Sequence, residues 1–346
     1  MTARSTMSRL GAATLTLVLL TALSGYASAD DPPRGQLTGG VKYEIPDWFK
    51  ESFLDLAEDV DEATSENRHV LLYFHLDECP YCDKMLRDGF IDSGYTDFIR
   101  QNFDSIAINI KGDRVVAYDA ETELSERALT KHLKVRYTPT IIFLDSTLKP
   151  VLRLNGYRTP RLLKQALDFV QQGAYAETDF ATYAERQDQP AVYTLRDHPM
   201  FRQVDDFSRL SGPTMLIFED SSCEFCDTFH DKLLSAPSSL AEMEKFTVVR
   251  LDARSDRPVI DFAGQTTTPR DWARQIGLTY RPGIALYDNG EEITRIDGML
   301  YGYHFTTVLR YVGDKLYKAY PTHNDYSRVR RKGLLEAGKT IDYSSY

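Results

Sequence analysis

Hydrophobic and polar positions along this 346-residue chain switch repeatedly between a helical period and unbroken apolar runs. Residues 47–66 (DWFKESFLDLAEDVDEATSE) carry apolar side chains at helical spacing, and His69-Val70-Leu71-Leu72-Tyr73-Phe74 then reads as a buried strand. From Lys84 to Arg100 the pattern is helical, Ser105 to Ile110 is rich in β-formers, and Ser125 to Lys134 is helical again. Tyr137-Thr138-Pro139-Thr140 leads into the apolar run Ile141-Ile142-Phe143-Leu144, and a last helix is predicted over about 160–171. Strands that alternate with helices in this way point to an α/β layer fold.

The same order returns downstream, as an internal repeat requires. At an offset of 144, Leu72, Phe74, Cys79, Cys82 and Asp83 meet Leu216, Phe218, Cys223, Cys226 and Asp227. At an offset of 143, Asp113, Arg114, Val116, Ala120, Arg127, Tyr137, Pro139, Ile141 and Asp145 all meet an identical residue, nine identities in 33 ungapped positions. Such agreement, with coincident prolines, indicates a duplication. The weakly hydrophobic stretch from Glu185 to Pro190 is the expected hinge.

Composition adds bounds. With 42% hydrophobic and 27% charged residues, the chain is long enough for about two domains of roughly 150 residues. Arg4 and Arg9 precede an apolar run from Leu10 to Leu23, and Ala27-Ser28-Ala29 has the small-x-small form of a signal-peptidase site, so residues 1–29 read as a signal peptide. A bilayer span takes about 20 residues, more than this run offers. Losing residues 1–29 removes two arginines and no acid, which takes the formal charge from −10 to −12 and argues against a nucleic-acid partner. The basic cluster Arg328, Arg330, Arg331 and Lys332 reads as a solvated face.

All four cysteines fall in two Cys-x-x-Cys pairs, Cys79-Pro80-Tyr81-Cys82 and Cys223-Glu224-Phe225-Cys226. Zinc sites built from such half-sites use linkers of about 12–20 residues. Here 140 residues intervene, and no metal site is expected. Haem attachment needs a His after the second Cys, where Asp83 and Asp227 stand. Thiol–disulfide chemistry is what remains. A first Cys at the start of a helix gains thiolate character from free N–H groups and the helix dipole, which makes Cys79 and Cys223 the nucleophiles. Cys82 and Cys226, nearly one turn on, would resolve the mixed disulfide. The intervening Pro80, Tyr81, Glu224 and Phe225 are the candidate redox-tuning residues: Glu224 disfavours a nearby thiolate, and Arg281 is expected to oppose it. His75 and Glu219, four residues before each nucleophile, are either proton-transfer groups or polar residues at the strand's edge. His230 reads as a surface or packing residue.

Strand, Cys-x-x-Cys, helix and a proline opening a strand about 60 residues later resemble thioredoxin-fold proteins in both halves. The resemblance implies two tandem thioredoxin-like domains, each a central mixed β-sheet flanked by helices, at 42–187 and 200–320, joined by a linker at 188–199 and followed by a tail at 321–346. It also implies that Pro139 and Pro282 are cis and face the sulfurs, and that Thr138 and Arg281 pair their backbone with substrate. Thioredoxins usually carry a buried acid six residues before the first Cys, where this chain has Tyr73 and Ile217. More narrowly, Cys-Pro-Tyr-Cys, Asn109-Ile110-Lys111-Gly112-Asp113 and Val135-Arg136-Tyr137-Thr138-Pro139-Thr140 make about 45–187 similar to the exported SoxW-like thioredoxins of bacterial sulfur oxidation. That likeness implies an exported, periplasmic disulfide reductase that needs only its cysteine pairs, acts on protein or sulfur-compound disulfides and draws on a membrane electron donor. A disulfide oxidase or isomerase and a non-enzymatic peptide-binding or partner-docking scaffold are the alternatives.

Overall fold

The apolar runs around Leu71 and Leu216 become the central strands of two sheets in the computed structural model, which describes residues 1–2, 34–187 and 190–346. Residues 3–29 of the expected signal peptide and residues 188–189 of the expected hinge lie outside the described residues. In chain order the first half contains β1 (Leu37–Thr38), α1 (Leu56–Ser65), β2 (His69–His75), α2 (Pro80–Met85), α3 (Thr96–Asn102), β3 (Phe103–Asn109), β4 (Val115–Asp119), β5 (Thr122–Ser125), α4 (Glu126–His132), β6 (Thr140–Leu144), β7 (Pro150–Asn155), α5 (Pro160–Gln171) and α6 (Phe180–Arg186). The second contains β8 (Pro213–Glu219), α7 (Cys226–Thr228), α8 (Pro237–Met243), β9 (Thr247–Asp252), β10 (Val259–Ile260), β11 (Thr266–Thr267), α9 (Pro269–Gln275), β12 (Gly283–Asp288), β13 (Glu291–Ile296), α10 (Gly302–Gly313), α11 (His323–Glu336) and β14 (Ile341–Asp342).

Each half is built on the same mixed four-stranded sheet, in the order β3-β2-β6-β7 and β9-β8-β12-β13. The central strand runs parallel to its sequence neighbour and antiparallel to the strand after the proline, with Leu72 opposite Ile106 and Ile142, and Leu216 opposite Val249 and Ala285. Successive residues of a strand point to opposite faces. Leu71 and Tyr73 therefore join Met85, Leu163 and Leu167 on one side, while Val70, Leu72 and Phe74 join Leu56, Val60 and Leu129 on the other. The second sheet repeats this, with Met215 and Ile217 against Phe229 and Leu309, and Leu216 and Phe218 against Trp272. A further mark of duplication is a π-helical segment after each Cys pair, Leu86–Ile91 and Phe229–Leu234.

Several elements differ from the pattern-based expectation. The first helix starts only at Leu56, because Leu54 has a positive φ of 63° and Asp55 caps the Glu58 N–H. The helix expected from Lys84 to Arg100 is broken at Gly94, whose φ of +75° no right-handed helix accepts. Residues 190–199, expected as part of a linker, lie against the second Cys pair, where the Val192 and Tyr193 N–H groups both donate to the Ser221 carbonyl at 2.8 and 3.0 Å. The expected tail is structured too: α11 is followed by β14, which pairs in parallel with β1. Its basic cluster is not wholly a solvated face, since Arg330 lies over the Tyr303 ring and donates to Thr307.

The halves are packed together through equivalent loops that follow β7 and β13. A Cβ on Gly298 would lie 2.8 Å from the Asn155 carbonyl oxygen, and one on Gly156 would lie 3.7 Å from the Gly298 Cα. Beside them Arg158, 1% exposed, donates to Asp297 at 2.9 Å and Thr279 at 3.3 Å, its guanidinium 5.3 Å from the Tyr280 ring centre. A buried pair of this kind holds the halves in register, because separating them strands a charge.

Candidate functional site

Cys79 is the N-cap of α2: its extended backbone precedes Pro80 at the first helical position, where proline's fixed φ and missing N–H cost nothing. Its Sγ accepts the Cys82 N–H at 3.1 Å and lies 3.6 Å from the Thr138 Oγ1 and 3.9 Å from the Thr138 carbonyl oxygen. The Thr138–Pro139 and Arg281–Pro282 bonds are both cis. Both Cys pairs are closed as disulfides. In the second pair the helix begins only at Cys226, with no side-chain cap, so Cys223 sits in a turn and its N–H donates to the Asp220 carbonyl at 3.1 Å. The expectation that both first cysteines open a helix therefore holds for Cys79 alone. Glu224 and Phe225 supply no proline to start the helix earlier.

The residues between the cysteines do more than flank the sulfurs. Tyr81 is buried by the other half: its hydroxyl accepts the Tyr301 N–H at 2.8 Å and lies 3.0 Å from the His304 Nδ1, and the Tyr81 and Tyr301 rings are 4.8 Å apart. Burial lowers the His304 pKa to about 4, so its ring is neutral and shares a single hydrogen with the Tyr81 hydroxyl. Phe225 packs on the cores of both halves and lies 5.8 Å from the Tyr346 ring, which is 4.9 Å from Tyr301. Glu224 does not meet Arg281. It pairs with Arg161 at the start of α5, Nε to Oε1 at 2.8 Å, while Arg281 pairs with Asp220 at 2.8 Å. The expected Glu224/Arg281 pair is thus replaced by two separate ion pairs, because α5 of the first half approaches the second Cys pair. Burial pushes the Asp220 carboxyl up, but Arg281, both Ser222 hydrogen bonds and Arg254 outweigh it and hold its pKa below the ordinary range.

Tyr73, in the place of the usual thioredoxin acid, is wholly buried and donates to the Cys82 carbonyl at 3.0 Å, so it braces α2 as a neutral hydroxyl, its pKa raised by burial. His75 meets the Tyr43 hydroxyl at 3.0 Å, and that hydroxyl also lies 2.7 Å from the Leu76 carbonyl. The hydroxyl's single proton goes to the carbonyl, which makes Nδ1–H of His75 the donor to Tyr43. Burial lowers the His75 pKa, consistent with that neutral ring.

In the second half the corresponding place holds a larger network. Glu219, with no exposed surface, accepts from the His230 Nε2 at 2.8 Å and from the Tyr193 hydroxyl at 3.1 Å. Tyr193 belongs to the same buried cluster as Cys223 and Cys226. In sequence Glu219 reads as either a proton-transfer group or a polar residue at the strand's edge and His230 as a surface or packing residue, while Tyr193 falls in the expected linker and carries no signal. Tyr43 and Tyr193 each stand ahead of a half and each reach the residue four before the first Cys, a repeat too far from the aligned core to show as one.

The four cysteines, Thr138, Pro139, Arg281 and Pro282 are thus drawn to one end of each sheet. Tyr81, Glu224 and Phe225 are drawn into the contact between the halves, while Pro80 stays buried as the first residue of α2. Among the described residues no group of three or more His, Cys, Asp or Glu side chains is arranged to hold a metal ion.

A scan of protein families matches the thioredoxin-like domain twice, at residues 56–171 and 200–313. Solved structures similar to the chain include a thioredoxin-fold protein from Helicobacter pylori (24% identity, 34% of this chain and 83% of that one, TM-score 0.32). Others are a thioredoxin from Thermus thermophilus (26%, 36% and 90%, 0.29) and the oxidised C-terminal domain of DsbD from Neisseria meningitidis (18%, 34% and 91%, 0.24). No curated protein matches the chain in sequence. Two family matches that together span most of the chain, each enclosing a Cys-x-x-Cys pair and a cis-proline, establish that this chain belongs to the thioredoxin-like domain family.

Proposed function

We propose that this protein is an exported thiol–disulfide oxidoreductase that acts as a reductase of protein or sulfur-compound disulfides at two sites, Cys79/Cys82 and Cys223/Cys226. The observation that carries the reading is the placement of Cys79 as the cap of α2 with its sulfur 3.6 Å from Thr138, the residue ahead of the cis-proline. In the reduced state the Cys79 thiolate attacks one sulfur of the substrate disulfide, which forms a mixed disulfide and releases the first substrate thiolate. Cys82 then attacks the Cys79 sulfur, releases the second thiolate and leaves the pair oxidised, two electrons having passed to substrate. Thr138 and Arg281, with Pro139 and Pro282, are the proposed substrate-docking backbone. At the second site Cys223 and Cys226 repeat these steps, and Glu219, held by His230 and Tyr193, is the proposed acceptor of the Cys226 proton. The likeness of the first half to exported SoxW-like thioredoxins supports the reducing direction, periplasmic location and a membrane electron donor.

Burial favours a second reading. Cys79 and Cys223 are only 4% and 3% exposed, as in a scaffold with permanently closed disulfides. Thiol titration of the whole protein decides between them. The oxidoreductase yields four thiols on mild reduction that return to disulfides on reoxidation, whereas disulfides that resist dithiothreitol identify the scaffold. Acid trapping and alkylation in cells then fixes direction: pairs found mainly reduced support a reductase, and pairs found mainly oxidised assign an oxidase.

A further inference from the structure

Beside the second Cys pair, a cavity of about 70 Å³ lies between the halves, lined by Arg161, Arg254, Arg274, Arg281 and Tyr280. Three carboxylates share this wall: Glu224 is held by Arg161, Glu185 by Arg274, and Asp220 by both Arg281 and, at 4.0 Å, Arg254. Four guanidiniums against three carboxylates leave the lining itself one positive charge in excess, with Asp271, outside the lining, 3.4 Å from a terminal nitrogen of Arg274. Two buried donors on the same wall, the Tyr280 hydroxyl and the Arg274 Nε, have no hydrogen-bond partner in the protein. Tyr280 is 1% exposed, and no protein group accepts from its hydroxyl, a rare state for a buried donor. Excess positive charge together with unmatched donors is the chemistry that receives an anionic oxygen group.

The cavity also adjoins the segment that carries the second Cys pair. Ser222 and Glu224, the chain neighbours of Cys223, both line it, as does Arg281, the residue before the cis-proline. Its volume takes a carboxylate or sulfonate group rather than a folded protein surface, and Cys223 itself is nearly covered.

We infer that this cavity is the anion subsite for a small thiol, or its disulfide, that carries a carboxylate or sulfonate and exchanges with Cys223–Cys226. The inference rests on the exchange reading of that pair and names its substrate class. One thiolate, its anionic group seated on the arginines, attacks the Cys223 sulfur, forms a mixed disulfide and releases the Cys226 thiolate, which takes up a proton. A second molecule of the same thiol attacks the ligand sulfur of that mixed disulfide and releases Cys223. The pair gains two electrons and two thiols become one disulfide; in reverse, the reduced pair cleaves the small disulfide.

The test uses the oxidised full chain, with opening of the Cys223–Cys226 disulfide followed by alkylation and mass analysis of its peptide. Glutathione and 2-mercaptoethanesulfonate are compared with uncharged 2-mercaptoethanol and cationic cysteamine, each rate divided by that thiol's rate on a free small disulfide. The expected result is a preference of about tenfold or more for the anionic thiols at low salt, because a charged cleft concentrates its counter-ion. Arg254→Gln and Arg274→Gln each bring that preference to within about twofold, the size expected when one charge is removed from a focusing cleft. Equal normalised rates for all four thiols, or a preference intact in both variants, overturns the subsite. Uncharged dithiothreitol separates the two levels: if it opens and recloses the pair while charge preference is absent, exchange stands and the subsite falls. If it cannot open the pair, the exchange reading fails first.

Discussion

Tyr81 stands between two cysteines, yet its hydroxyl serves the other half of the molecule through Tyr301 and His304. Glu224 is used the same way, by Arg161. Residue identity in a Cys-x-x-Cys pair therefore does not reveal its electrostatics, since the partner arrives from a distant segment. Glu219 shows the reverse: its position four before Cys223 marked it in the sequence, and only the fold brought His230 and Tyr193 to it. Glu219→Gln keeps the side chain's size and removes its negative charge. If Glu219 accepts the Cys226 proton, the variant slows exchange at the second pair by about 10². The rate at the first pair stays unchanged, measured by pair-specific alkylation after mixing with a disulfide substrate. A shift of the second pair's pH–rate profile in Glu219→Gln separates proton transfer from simple loosening, and an unchanged profile makes the trio a packing device.

At the scale of elements, the central strands were legible because a strand buried on both faces needs nearly every residue apolar. Capping fixes where two helices start, since Ser125 and Thr159 accept the N–H groups of Ala128 and Leu162 at the starts of α4 and α5. The helix after each Cys pair was not legible, because its π-helical segment and the break at Gly94 are settled by packing. Gly89, inside that segment, faces α5 so closely that a Cβ would lie 2.6 Å from the Leu163 Cδ2. Leu163 is fully buried, so Leu163→Ala is expected to cost about 2–5 kcal/mol. Denaturant unfolding measures it, and a cost below about 1 kcal/mol, the range of conservative core changes, would show that the site collapses around the missing atoms.

For the whole molecule the decisive contact is between the two halves, where the Gly156 and Gly298 loops meet and where Tyr81, Glu224 and Phe225 of the Cys pairs also lie. Gly298→Val puts side-chain atoms against the Asn155 carbonyl, which cannot yield cheaply. The expected outcome is separation of the loops and reduction of both disulfides about tenfold faster or more, as burial gives way to solvent access. Unchanged reduction of both pairs in that variant would mean that the contact does not shield them. The same contact is sensitive to acid. Burial lowers the pKa values of His304 and His323 to about 4 from an ordinary 6.5, with Arg330 beside both rings and Arg331 also facing His304. The folded protein thus binds fewer protons than the unfolded chain, so stability is full above about pH 6.5 and falls as pH drops toward 4, by up to about 3 kcal/mol for His304. Chemical denaturation across that window should show the loss, and a His304→Gln variant with the same pH slope would assign it elsewhere. The sequence by itself determined the duplication, the α/β order, the two thiol pairs and their prolines, because these depend on short-range pattern and on the chemistry of single residues. Only the tertiary structure decided that Cys79 caps a helix while Cys223 does not, that Glu224 answers to Arg161, and that the two pairs share one interface. Ion pairs, burial and contacts between halves join residues far apart in the chain, and no local pattern encodes which distant group will arrive.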